Sequence, residues 1–426
     1  MFALCDLNKF YASIIRVFMP EYENVPVMVL SNNDQCNICF SPGPLSSDLG
    51  IKMGTPVFEI QHLIKKYGIK TFSCNFPLIS DMSLRVKSVM RRFFPATEDY
   101  SIDEIFADMS GISVAKCIEI CRKIVKIVGT GLGLPISIGL APTKTLAKVA
   151  CRYAKRFPGY EGVCVIDSEL KREKALQGFE IGDIWGIGDK YEKKLRTSLY
   201  KVKTAYDFTK VPRAWVRLNM TVVGEKTYRE LLGTSCLELE DVAPPKKNIM
   251  VSRSFGKMID DFDTIAEAVT TYDCMGAAKL RKQKSKAKAL YVFLETNRFR
   301  QDLAQYYPKI VVKLPVATSS SIEISKYVRM ALKAIYKEGY KYKKAGVMMM
   351  EISPEDSVQM NVFDPMNPAD RKKHDILMKV IDMINDKWGR NTIFIAGQGT
   401  KKKWWIKQLL LCPCYTTRLN ELAIAV

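Results

Sequence analysis

The chain has 426 residues, and 65 Lys+Arg against 45 Asp+Glu give a formal charge of +20. With 47% apolar and 26% charged residues it is no disordered chain, and its length predicts two to four domains. The longest apolar stretch, Ile127 to Ala141, is broken by four glycines and Pro135, so no membrane span is expected.

Phe2 to Cys5 predicts a short strand ending on Asp6, and the first residues carry no basic signal-peptide region. Met82, Val86, Val89, Met90 and Phe93 recur at helical spacing. Tyr100 to Met109 predicts a strand or hairpin closed by Ser110-Gly111. Val114, Cys117, Ile118, Cys121, Ile124, Val125 and Val128 then form one apolar helical face. Strands over 135–140 and 162–166 flank a helix over 143–156. This order predicts an α+β sheet of the ferredoxin-like split βαβ type, with residues 11 to about 78 inserted after the first strand.

Residues 168 to 242 predict short helices and turns. A second α/β unit follows, with helices at 263–281 and 320–338 and strands at 288–296, 308–314 and 345–352. Between Pro245 and Ala345 stand 21 Lys+Arg against 9 Asp+Glu, so this unit carries +12 of the +20. Such a concentration points to a polyanion, nucleic acid above all. Lysines between Lys279 and Lys288 are expected to span a helix end and a loop. A last helix is expected near 367–387, before the basic, tryptophan-containing Lys401-Lys402-Lys403-Trp404-Trp405.

The 12 cysteines are scattered, and only His62 and His374 could complete a zinc site. Cys117 and Cys121, four apart on an apolar face, are expected to be core thiols. Free thiols imply a reducing cytosol. Two histidines in all argue against histidine-centred catalysis.

Asp6 ends one predicted strand, and Asp103-Glu104 lie in another. Three acids at neighbouring strand ends suit a pair of Mg²⁺ ions, which prefer carboxylate oxygens with water and substrate phosphates. Surface acids also end strands, and spacing alone leaves both readings open.

Three segments narrow the choice: Met1-Phe-Ala-Leu-Cys-Asp-Leu-Asn-Lys-Phe-Tyr-Ala-Ser13, Tyr100-Ser-Ile-Asp-Glu104 and Thr143-Lys-Thr-Leu-Ala-Lys148. Together they resemble the Y-family translesion DNA polymerases, and within them the UmuC branch of bacterial DNA polymerase V. Leu49-Gly-Ile-Lys-Met-Gly54, Trp185-Gly-Ile-Gly188, Ser252-Arg-Ser-Phe-Gly256, Ala345-Gly-Val347, Ile395-Ala-Gly-Gln-Gly399 and Tyr415-Thr-Thr-Arg418 extend the resemblance over nearly the whole chain.

The resemblance implies a right-hand polymerase: palm at 1–10 and 79–167, fingers at 11–78, helical thumb at 168–242, α/β little finger at 245–352 and a C-terminal extension at 353–426. It implies that Asp6 and Asp103 hold two Mg²⁺ ions, assisted by the Leu7 carbonyl, with Glu104 completing the acidic site. Phe10 and Tyr11 match the positions that pack the incoming sugar, Tyr11 as the gate against a ribose hydroxyl. Both could equally be core aromatics at a strand-to-loop turn. Lys155 matches a triphosphate contact, and a solvated helix lysine is the other reading. Gly186 and Gly188 resemble the glycine turn of a helix-hairpin-helix that approaches DNA phosphates. Ser252 and Arg253 would lie on a DNA-facing strand. Gln359, Met360, Val362 and Phe363 resemble a sliding-clamp docking peptide. The family's further partners are a cleaved UmuD-type dimer and the RecA filament. The implied activity is error-prone, template-directed translesion synthesis in the bacterial SOS response, in the cytoplasm at the nucleoid.

One stretch departs from the pattern. Gln35 to Asp48 has no basic residue and carries Pro42-Gly43-Pro44, where the family expects a basic fingers segment. That loss removes cationic stabilisation near the triphosphate and raises a second reading, an impaired paralogue that binds DNA, clamp and UmuD-type partner. A palm-fold nucleotide cyclase also shares paired acids, but the thumb-like turn and basic C-terminal unit argue against it.

Overall fold

The computed structural model describes residues 1–31, 34–43, 49–240, 244–357, 367–406 and 408–422. The chain divides into two compact units, Met1–Ala243 with Gln408–Val426, and Pro244–Lys407. It therefore leaves the first unit once and returns to it for its last residues.

The first unit opens with β1 (Phe2–Leu7), whose side chains are nearly all buried, followed by α1 (Phe10–Phe18). β2 (Val27–Leu30), β3 (Asn37–Ser41), α2 (Val57–Lys66) and β4 (Lys70–Ser73) make a small sheet of order β3-β2-β4. α3 (Phe76–Met90) and the hairpin of β5 (Ala96–Asp99) and β6 (Glu104–Asp108) lead into α4 (Val114–Leu132). β7 (Ile136–Ala141), α5 (Lys144–Arg156) and β8 (Val163–Val165) complete a five-stranded sheet of order β5-β6-β1-β7-β8.

Its first four strands have antiparallel neighbours in the split βαβ order that the sequence predicts, and β8 adds a parallel edge. The expected apolar face of α4 is the buried one: Cys117, Cys121, Ile124 and Val128 are fully buried. The two thiols are core, as expected. All the cysteines are free, and among the described residues no three His, Cys, Asp or Glu side chains are gathered as a ready-made metal site.

A separate core lies on the other side of the same sheet. There α5 packs on β7, and Leu146, Val149 and Ala150 meet Ile181, Leu195 and Phe208. The helices α6 (Glu169–Gln177), α7 (Asp189–Thr197), α8 (Ala205–Thr209) and α9 (Arg213–Leu231) build this layer. Thr204 closes a capping box with Asp207 at the start of α8. Short helices and turns are what the sequence predicts here.

In the second unit, β9 (Ile249–Ile259), α10 (Phe262–Lys282), β10 (Ser285–Thr296), β11 (Lys309–Thr318), α11 (Ser321–Ile335) and β12 (Tyr342–Pro354) form a sheet of order β11-β10-β12-β9 under two helices. The lysine-rich stretch is not a loop. It runs off α10, turns at Gln283 and Lys284, and continues as β10, with Lys279, Lys282 and Lys284 exposed. α12 (Pro368–Trp388) is clipped to this unit by the bidentate pair of Arg281 with Asp382, at 2.6 and 2.7 Å. Trp404 is core, edge-on to Tyr272, while Trp405 is half exposed. Among the described residues no helix is long and apolar enough to cross a membrane.

Candidate active site

The acids come together through strand register. Asp6 of β1 stands opposite Glu104 of β6, and the Leu7 amide donates to the Asp103 carbonyl at 3.1 Å. Of the strand or hairpin expected over 100–109, the structure shows the hairpin's turn and second strand. β5 ends at Asp99, so Asp103 sits in the hairpin turn and Glu104 is the first residue of β6. Ser101 shapes that turn: its Oγ donates to the Asp103 carboxylate at 2.6 Å and accepts from the Glu104 amide at 3.0 Å.

The helix α5 supplies the cations. Lys148 and Lys155 are seven residues apart, two turns, and so lie on one face. Lys155 pairs with Asp6 at 2.5 Å and Lys148 with Glu104 at 2.8 Å. Burial raises the Asp6 carboxyl to about 6 against the pull of Lys155, and the Glu104 and Asp103 charges add to the rise. Lys155, matched by sequence to a triphosphate contact, here faces a carboxylate. The three carboxylates thus point to separate partners rather than to one centre.

The donor set fits a divalent cation nonetheless. Three carboxylates and the Leu7 carbonyl offer only oxygen, the donor of choice for Mg²⁺. The paired ammonium groups show that this acidic corner calls for positive charge.

Phe10 and Tyr11 begin α1 and behave differently. Phe10 is buried in the core at 2% exposure, whereas Tyr11 is only partly covered. Burial, with the Cys74 thiol and the Asp103 carboxylate nearby, pushes the Tyr11 phenol up to about 12.

Gly186 adopts φ +89° and Gly188 caps the N-terminus of α7. The neighbouring Trp185 Nε1 donates to the Tyr100 hydroxyl at 2.9 Å, and Lys148 Nζ stands 4.5 Å from the Tyr100 ring centroid. The sequence reading missed Lys148, Ser101 and this Trp185–Tyr100 contact as parts of the site. The seven-residue spacing of two lysines on a predicted helix was the available signal.

In the second unit, Arg253 is exposed and Ser252 half buried on β9, an edge strand. Within the stretch from Gln35 that lacks basic residues, β3 ends at Ser41 and Gly43 turns at φ +63°. Arg16 reaches over from α1, donating to Ser41 Oγ at 2.6 Å and to the Val25 carbonyl at 2.9 Å, so its charge is spent on holding the turn. Gln359, Met360, Val362 and Phe363 lie outside the described residues.

Comparison with known proteins bears on the family and the fold. Residues 5–152 match the impB/mucB/samB family and 246–362 its C-terminal domain, while 375–425 match a domain of unknown function, DUF4113. Protein ImpB of Salmonella typhimurium is 38% identical over 430 positions, covering 100% of this chain and 99% of that one. Protein UmuC of the same species is 37% identical, covering 99% of each chain. Among solved structures, a Y-family DNA polymerase chimera of Dbh and Dpo4 aligns with TM-score 0.65 at 17% identity, over 83% of this chain and 100% of that one. An insertion ternary complex of Dbh DNA polymerase aligns with TM-score 0.52 at 17% identity, with the same coverage. The chain belongs to the impB/mucB/samB family, and its fold is shared with Y-family DNA polymerases.

Proposed function

We propose that the chain carries out error-prone, template-directed translesion DNA synthesis in the SOS response. One observation carries the reading. The β1–β6 register sets Asp6 against Glu104 beside Asp103, at the ends of two central strands.

Asp6, Asp103 and the Leu7 carbonyl would hold two Mg²⁺ ions, with Glu104 alongside. When bound, such ions activate the primer hydroxyl and offset charge on the triphosphate. Lys155, released from Asp6, would meet the triphosphate. Tyr11 would exclude a ribose hydroxyl by its bulk, with Phe10 supporting it from the core. The first five-stranded sheet would serve as palm (1–10 and 79–167), the inserted segment 11–78 as fingers, and 168–242 as thumb. Gly186 and Gly188 in the thumb would approach the DNA backbone. The unit over 245–352 would be the little finger, with Ser252 and Arg253 toward duplex phosphates, and 353–426 the partner-binding extension. The peptide Gln359 to Phe363 would dock on a sliding clamp, and UmuD-type and RecA partners follow from the family. A bacterial cytoplasm suits an enzyme acting at the nucleoid.

Single-nucleotide incorporation on a primed template tests this, with Mg²⁺, clamp, UmuD-type dimer and RecA filament present. The expected result is incorporation that Asp103→Ala lowers by about 10³-fold or more while primer–template binding persists. Undiminished incorporation by that variant would refute the assigned site.

The second reading, an impaired DNA-binding paralogue, draws on the described part of 35–48, where no basic side chain stands and the one that reaches in, Arg16, is engaged by Ser41 and the Val25 carbonyl. Salt-sensitive DNA binding without incorporation, all partners present, would favour it.

A further inference from the structure

Residues 408–415 of the domain of unknown function do not stay with the second unit. They return to the first and bind three consecutive residues. The Ser73 amide donates to the Leu410 carbonyl, and the Leu410 amide to Ser73 Oγ, both at 2.9 Å. Gln408 Nε2 donates to the Cys74 carbonyl at 3.0 Å. Asn75 Nδ2 donates to the carbonyls of Cys412 at 2.9 Å and Pro413 at 3.3 Å, while its Oδ1 accepts from the Leu78 amide and caps α3. On the flanks the Leu409 amide donates to the Asp34 carboxylate at 2.8 Å, and the Tyr415 ring stacks on Phe18 at 4.9 Å and 4°.

Two features give this arrangement a direction. Ser73 ends β4, an edge of the β3-β2-β4 sheet, so the returning segment covers backbone groups otherwise open to pairing. The middle residue of the bound triplet, Cys74, is 1% exposed and belongs to the buried core against which Tyr11 packs. Phe18, stacked on Tyr415, is the last residue of the helix that Tyr11 begins. Both a residue of the core against which Tyr11 packs and the far end of its helix are therefore held by the chain's own C-terminal segment.

We propose that residues 408–415 are an intramolecular strap that sets the position of Tyr11, and thereby the discrimination between deoxyribose and ribose. Asn75 and Gln408 are positioning residues in this role, since each links the strap to the triplet beside the gate. The proposal rests on the polymerase reading and on Tyr11 as sugar gate. A displacement on the order of 1 Å at a substrate-positioning group is enough to change turnover substantially.

The test uses the full chain with its partners and compares insertion of a deoxyribonucleotide with its ribonucleotide. Native chain, Tyr11→Ala, Asn75→Asp and Gln408→Ala run in parallel, with hydrogen exchange over 408–415. Asn75→Asp keeps the oxygen that caps α3 and removes the amide that grips Cys412 and Pro413. The expected result is faster exchange over the strap and a sugar-discrimination ratio lowered about tenfold in Asn75→Asp, with deoxyribonucleotide turnover within about threefold of native. Tyr11→Ala should lower the ratio further. General destabilisation would depress both sugars together and leave the ratio in place.

An unchanged ratio with a freed strap overturns the proposal. So does a strap that neither Asn75→Asp nor Gln408→Ala loosens, because these bonds are what the proposal relies on. A native chain that inserts neither sugar removes the polymerase reading, and the strap's role in discrimination falls with it. A discriminating native chain whose Tyr11→Ala variant still discriminates refutes the gate instead.

Discussion

The Lys148 ammonium stands 2.8 Å from the Glu104 carboxylate, and each side chain is only 18% exposed. Removing the cation leaves a largely buried carboxylate unpaired beside two other acids. Lys148→Met, which keeps the apolar stem, should cost about 1–3 kcal/mol of stability, read as a lowered melting temperature. Added Mg²⁺ should restore more stability to this variant than it adds to the native chain, because it replaces the lost charge. Equal Mg²⁺ shifts in both would show that Glu104 does not face the metal site.

Gly139 is the point at which α5 touches β7. A Cβ there would lie 2.1 Å from the Ala147 carbonyl oxygen and 2.2 Å from the Cys151 amide nitrogen, both backbone. The helix must move off the sheet to admit a methyl group, and it carries Lys148 and Lys155 with it. Gly139→Ala is expected to cost about 3 kcal/mol or more, at the upper end for overpacking. Chemical denaturation measures this. A cost below about 1 kcal/mol would mean that the helix yields easily.

Asp273 is fully buried, with Ser325 Oγ donating to one carboxylate oxygen at 2.8 Å and the other oxygen without a partner. Burial pushes its carboxyl well above the usual range, and Ser325 and Cys274 offset that only in part. A carboxyl raised on folding contributes stability that is fully present below its unfolded value and lost as pH rises through the folded value. Asp273→Asn removes the titration, so the variant should melt higher than the native chain near pH 7–8, by about 1–2 kcal/mol. The gap should narrow toward pH 4. A constant gap would assign the effect to packing instead.

Arg253 projects from the edge strand β9, in a unit where Lys279, Lys282 and Lys284 are also exposed. If Arg253 neutralises one phosphate, Arg253→Ala should lower the slope of log affinity against log salt by about 0.9. The weakening should be similar across template sequences, since backbone contacts carry no base information. Filter binding or anisotropy at several salt concentrations reads this. An unchanged slope would place Arg253 off the DNA.

Elements with a local cause are legible in the sequence. The seven apolar residues from Val114 to Val128 repeat at helical spacing, and α4 forms there because burying that stripe requires a helix. The strand-helix-strand order around α5 implied the sheet, and the motifs carried by Asp6, Tyr11, Asp103 and Trp185 in sequence order indicated the family. Where the backbone turns, the reading was less sharp. The hairpin at Ser101 depends on a hydroxyl bonding back to the chain, and the lysine-rich stretch became strand because β10 pairs with both β11 and β12.

Sequence alone thus determined the periodic elements, the concentration of positive charge and the residue types available for chemistry, all of which depend on neighbours along the chain. Tertiary structure decided which of those residues meet. Lys155 pairs with Asp6, Lys148 with Glu104, and Cys412 with Asn75 across 337 residues. Such pairings follow from how a helix seats against a sheet or a returning segment against an edge strand. That geometry is set by the packing of whole elements and leaves no local pattern to read.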